Sequence, residues 1–157
     1  MKNVLVIFQA TQARTETLAL AAGLGAVQSG ALIRLRHLTS SAPAELEHKG
    51  YGTLKDSDIV WAEAIVVGVE AETPIHELAE FTDLVRQLAQ TQSLSGKRLF
   101  VFGREGKGDA DSEAVAYLNH VAIQTGMTLM ESELLSSQAF ADPLDYLNRV
   151  GRTLASD

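Results

Sequence analysis

The sequence predicts a doubly wound α/β domain, a parallel sheet of five strands in the order 2-1-3-4-5 between two layers of helices. Three observations lead there. The runs "NVLVIFQ" (3–9), "EAIVVGVE" (63–70) and "KRLFVFG" (97–103) are apolar on both faces, as strands covered on both sides must be. Segments whose apolar residues recur at helical spacing lie between them. With strict alternation and right-handed crossovers, that strand order is the common solution for five parallel strands.

Each element has a local reason. After the first strand, Leu18, Ala21, Ala22, Leu24 and Val27 mark a helix over 14–29, which Gly30 ends as a left-handed cap. "ALIRLRH" (31–37) alternates apolar and basic residues, as a strand nearer the sheet edge does. Residues 38–54 carry Ser-Ser-Ala-Pro and Lys-Gly-Tyr-Gly with little periodicity and read as a long loop, and "DSDIVWA" supplies one or two helical turns. Thr73-Pro74 is a helix start, because proline at the first helical position has no amide hydrogen to leave unbonded. That helix is expected to reach Gln90, with Leu78, Phe81, Leu84, Val85 and Leu88 inward. A further helix over 112–125 is capped by Gly126, and "MTLME" (127–131) forms the fifth strand. Asp142-Pro143-Leu144-Asp145 opens the last helix with an N-cap, a proline and an acidic residue in the first turn.

The 157 residues suit a single domain over 1–157, and 46% hydrophobic composition is ordinary for a globular chain. No apolar run approaches the ~20 residues that span a bilayer, so membrane insertion is not expected. The first apolar run stops at Phe8, too short for a signal peptide's core, and cytoplasmic placement is the expectation. A net charge of −7 opposes binding to nucleic acid. The absence of cysteine removes disulfides, thiolate metal sites and a thiol nucleophile. The four histidines are scattered, with no pair at i, i+4, so no metal site is expected.

In a sheet of this order, ligands bind beyond the carboxyl ends of the strands, where the strand order reverses. Three loops reach that point: 9–15, 69–74 and 103–111. In the first, Ala10, Thr11, Gln12, Ala13, Arg14 and Thr15 lead into a helix N-terminus whose unbonded amides and partial positive charge suit one phosphate. Thr11 and Thr15 add hydroxyls. Arg14 is unfavourable against the helix dipole unless an anion is bound, although it is equally able to point to solvent. In the second, Val69, Glu70 and Ala71 border the site, and Glu70 and Glu72 are expected to face solvent. In the third, Gly103, Gly106 and Gly108 let the backbone pass close to a planar ligand, with Arg104 and Lys107 as phosphate or nicotinamide-cofactor contacts. Trp61, in an apolar stretch, reads as core packing rather than a stacking platform. No Ser-His-Asp set or paired carboxylates are recognisable.

"A-T-Q-A-R-T-E" between strand and helix resembles the flavodoxin phosphate loop, Ser/Thr-x-Thr-Gly-x-Thr-Glu. Thr15 and Glu16 match that pattern, while Ala10, Gln12 and Ala13 depart from it. "DIVWAEAIVVG" (58–68) and "FGREGKGDADSEAVAYLNHVAIQTGM" (102–127) resemble segments of the flavodoxin-like NAD(P)H:quinone oxidoreductases and FMN reductases. The resemblance runs in order over roughly residues 1–130. It implies a three-layer, flavodoxin-like fold and FMN as cofactor, with its phosphate on 11–15 and its ring between 69–74 and 103–108. It also implies NAD(P)H as donor and a quinone or similar small-molecule acceptor. Two other readings stay open. One is a one-electron carrier that docks on a redox partner protein. The other is a flavodoxin-like module without FMN that acts in interaction or regulation. A homodimer is compatible with all three.

Overall fold

The computed structural model describes residues 2–9, 13–38, 52–70, 78–103, 113–130 and 142–156. Its sheet is parallel throughout, with β1 (Asn3–Phe8), β2 (Leu32–His37), β3 (Gly52–Thr53), β4 (Ala64–Gly68), β5 (Arg98–Phe102) and β6 (Thr128–Leu129). The order is β3-β2-β1-β4-β5-β6. The five expected strands thus stand in the expected order, and a sixth is added at the edge. This extra strand, Gly52–Thr53, falls where the sequence reads as loop. Two residues that pair only with Arg36 and His37 are too few to show a period.

Alternation along the central strands sorts their side chains into two cores. Val4, Val6 and Phe8 of β1, with Ala64 and Val66 of β4 and Phe100 and Phe102 of β5, face α1 (Ala13–Gln28) and α5 (Pro143–Ala155). Leu5, Ile7, Ile65, Val67, Leu99 and Val101 face α2 (Asp56–Trp61), α3 (Ala79–Thr91) and α4 (Glu113–Gln124). The strands are covered on both faces, which is why their sequences carry no polar alternation.

The α1/α5 layer is held by close approach. An added Cβ at Gly25 would lie 1.9 Å from the Asn148 carbonyl oxygen, and one at Gly151 would lie 1.9 Å from that of Ala22. Only hydrogen at both positions lets the two helices come this near. The buried face of α1 is accordingly small, with Leu18, Ala19, Ala22 and Ala26 inward. Leu24 and Val27, which share the helical spacing, are exposed, because the close approach to α5 turns the glycine-alanine side of the helix to the core.

Helix ends follow the sequence in most places. Gly30 and Gly126 both take φ 90°, the left-handed cap conformation. The Asp142 carboxylate accepts from Leu144 N at 3.0 Å, with Pro143 at the start of α5. The described part of α3 begins at Ala79 after Leu78 and not at Pro74, which lies outside the described residues. On its inner face Phe81, Val85 and Leu88 are buried as expected.

Candidate functional site

The carboxyl ends of β1, β4 and β5 are level. Phe8 pairs with Gly68, and Gly68 with Phe102. The ladder continues one residue further on each side, as Gln9 N donates to Gly68 O at 3.0 Å and Val69 N to Phe102 O at 3.0 Å. The three segments expected to carry function therefore leave the sheet side by side. Gly68 has no room for a side chain, since a Cβ there would lie 2.4 Å from Cζ of Phe102.

Just beyond these ends two of the segments are joined. Gln9 is 1% exposed, and its side-chain Oε1 accepts from Glu70 N at 2.7 Å. This bond fixes the start of the second segment against the end of β1. Sequence reading gave Gln9 no role of its own, because its partner lies 61 residues away. Glu70 itself is buried, at 7% exposure, which corrects the expectation that it faces solvent. Its backbone amide is held by Gln9 at the end of β1.

The first helix starts at once. Only residues 10–12 separate Gln9 from Ala13, the first residue of α1, so the helix N-terminus stands over the end of β1. Its first-turn amides have no intrahelical acceptor and point to the carboxyl end of the sheet. Thr15 is buried in that turn, and Arg14 beside it is exposed. Four of the six buried polar side chains among the described residues, Gln9, Thr15, His37 and Glu70, lie at this end. Nδ1 of buried His37, the last residue of β2, has no hydrogen-bond partner among the described residues.

Of the expected site residues, Ala13, Arg14, Thr15, Val69, Glu70 and Gly103 are brought to the carboxyl end of the sheet, with Val69 and Gly103 buried. Ala10, Thr11, Gln12, Ala71, Arg104, Gly106 and Gly108 lie outside the described residues, as do Glu72 and Lys107. Among the described residues no group of three or more His, Asp or Glu side chains could hold a metal ion. No described helix is long and apolar enough to cross a membrane.

A second polar cluster lies on the α2 side. Asp58 accepts from Arg34 Nη1 at 3.1 Å and from Arg36 Nε and Lys55 N at 3.0 Å each. Burial alone would raise the pKa of Asp58, but the Lys55 amide and the two guanidinium groups outweigh it and hold the carboxyl below its ordinary value. The Arg34 guanidinium also stands 4.3 Å from the centre of the Trp61 ring. Trp61 is half-buried against the core beneath it, so its expected packing role holds. This cluster ties β2 to α2 and belongs to the fold.

Comparison of the whole molecule with solved structures decides what this architecture is. A flavodoxin from the domain Archaea matches over 98% of this chain and 96% of its own, with TM-score 0.67 and 18% identity. The fold is flavodoxin-like. A flavodoxin of Streptococcus pneumonia TIGR4 gives TM-score 0.65 at 19% identity over 98% of this chain and 97% of that one. The flavodoxin-like, WrbA-like protein of Agrobacterium tumefaciens gives 0.61 at 18%, over 99% and 96%. No family model and no curated protein matches the sequence. The flavodoxin-like likeness therefore resides in backbone and topology, and the edge strand β3 is an addition to the expected five.

Proposed function

We propose that the chain is an FMN-binding flavoprotein that moves electrons from NAD(P)H to a quinone or similar acceptor. The observation that carries this reading is the junction at the carboxyl end of the sheet. There the Gln9–Glu70 bond, the buried Thr15 and the N-terminus of α1 meet at the reversal of strand order. The solved structures with this fold that carry the name flavodoxin support it.

The described residues fit the phosphate end of such a cofactor. The α1 amides would receive the phosphate, Thr15 would donate its hydroxyl from the first turn, and Arg14 would add charge from the rim. Bound FMN supplies the electron chemistry. Glu70 is held by Gln9 at the end of β1, and a carboxylate close to the bound cofactor would oppose its gain of further negative charge. Gln9 binds the Glu70 backbone and so holds the start of the second segment against the end of β1.

A second reading, a one-electron carrier without a substrate of its own, is favoured by the net charge of −7, which suits docking on a basic partner. Two assays on the full chain separate the readings. FMN titration followed by the visible spectrum is expected to saturate at micromolar concentration. Steady FMN-dependent oxidation of NAD(P)H with a quinone acceptor supports the enzyme, and binding without turnover supports the carrier. Absence of FMN binding overturns both and leaves an interaction module.

A further inference from the structure

From the place of His37 we infer that its imidazole is a further binding residue of the anion site at the start of α1, donating from Nδ1 to the phosphate monoester of the bound cofactor. The inference rests on the function proposed above, but the observations behind it are separate. His37 is 4% exposed, and its Nδ1 has no hydrogen-bond partner among the described residues. A buried nitrogen without a partner is destabilising, and native proteins keep few of them. Such an atom marks where a ligand is received.

Strand alternation decides which face of the sheet the ring takes. Arg34 and Arg36 turn to the α2 side, where both bond Asp58, whereas Ile33 and Leu35 pack in the α1/α5 core. His37 shares the parity of Ile33 and Leu35 and so lies on the α1 side. Of the three basic side chains of β2, it alone is turned that way. Its level along α1 follows from Gly23, whose Cβ position is 3.3 Å from Ile33 Cδ1 and 3.6 Å from Leu35 Cδ2. From the midpoint of that pair to His37 is about 10 Å along the strand, at ~3.3 Å per residue. The helix runs back against β2, and the same advance at ~1.5 Å per residue leads from Gly23 to about Glu16. His37 therefore stands level with the first turn of α1, the turn that carries buried Thr15.

The surroundings select an oxygen-rich anion. Phe8 beside His37 in the ladder, Leu35 before it on the strand and Leu18 and Ala19 on α1 are apolar and offer an imidazole N–H no acceptor. Glu16, the acidic residue of the first turn, does not bond Nδ1. The first-turn amides of α1 are donors too, so they compete for an acceptor and do not supply one. A phosphate monoester accepts from amides, a hydroxyl and an imidazole at once through its several terminal oxygens. Nδ1 donates to it either as the neutral Nδ1–H tautomer or as the imidazolium. A metal ion is a poorer occupant, because among the described residues no group of three or more His, Asp or Glu could hold one.

The test titrates the full chain with FMN and with riboflavin in phosphate-free buffer. His37→Phe removes the donor and keeps the bulk of a ring. It is expected to weaken FMN about 10-fold, the value of one charged hydrogen bond, and to leave riboflavin affinity unchanged. A histidine that only supports the fold would move both flavins together. His37→Asn, which returns a donor near the position of Nδ1, is expected to recover part of the FMN affinity. Nitrogen NMR of the wild-type histidine rings reads the same contact without a variant, in case His37→Phe does not fold. FMN is expected to shift the Nδ1 resonance of His37, and riboflavin to leave it in place. An FMN-to-riboflavin ratio kept in His37→Phe, or an Nδ1 resonance that FMN does not move, overturns the inference while the proposed function stands. Binding of neither flavin by the wild-type chain overturns the two together.

Discussion

The two ends of the sheet hold their polar groups in opposite ways. At the amino end, cations close the open carbonyls of helix termini. Arg98 Nη2 donates to the carbonyls of Leu154 at 2.7 Å, Ser156 at 2.8 Å and Thr153 at 3.2 Å, where α5 ends. Lys97 Nζ donates to Ala62 O and to Val60 O where α2 ends, and burial lowers its pKa although Glu63 pulls the other way. Asn3 N donates to Glu63 Oε2 at 2.9 Å, and Asn3 Nδ2 to Trp61 O at 3.1 Å. These groups serve the helices they cap. At the carboxyl end the buried polar groups gather near the N-terminus of α1, whose first-turn amides have no intrahelical acceptor. The helix-closing bonds are thus at one end of the sheet and the proposed binding site at the other.

Variants can break that division or sharpen it. The largest effect is expected where both ends depend on one contact. Gly151→Ala puts a Cβ 1.9 Å from the Ala22 carbonyl and must push α5 off α1. We expect a loss of about 3 kcal/mol or more in urea unfolding, beyond ordinary overpacking, together with loss of FMN binding. Next, Arg98→Met removes the cation from the end of α5. Bonds of this charged kind contribute about 1.5–3 kcal/mol, and the partly exposed site places the loss near the lower figure. FMN affinity is expected to stay within twofold, because the change lies at the opposite end. Comparable in stability is Gln9→Leu, which strands the Glu70 amide at a cost of about 1–2 kcal/mol. Here FMN affinity is expected to fall as well, and isothermal titration beside urea unfolding distinguishes this double effect from the Arg98 result.

The two ends also differ in how far the sequence reveals them. The strands of the centre were legible because burial on both faces removes polar residues from the run. The N-cap at Asp142 and the turns at Gly30 and Gly126 were legible because their chemistry is local. The carboxyl-end segments could be located by topology alone, and Thr15 found its place as the ending of a phosphate-loop pattern. What stayed hidden depends on residues far apart in the chain. Glu70 is buried where its amide meets Gln9, Leu24 and Val27 are left outward by the contact of Gly25 with α5, and β3 exists only through pairing with β2. Spacing along one segment carries none of this information. The alternation of arginines in β2 announced an edge strand, but not that Asp58 would receive both of them.

Whether the first turn of α1 receives a phosphate is tested most directly with riboflavin, which differs from FMN only by lacking that group. The wild-type chain is expected to bind FMN at least ~10-fold more tightly than riboflavin, the value of one or two charged hydrogen bonds. Thr15→Val should narrow the ratio without changing riboflavin affinity. Equal affinity of the wild-type chain for the two flavins, or binding of neither, would contradict it.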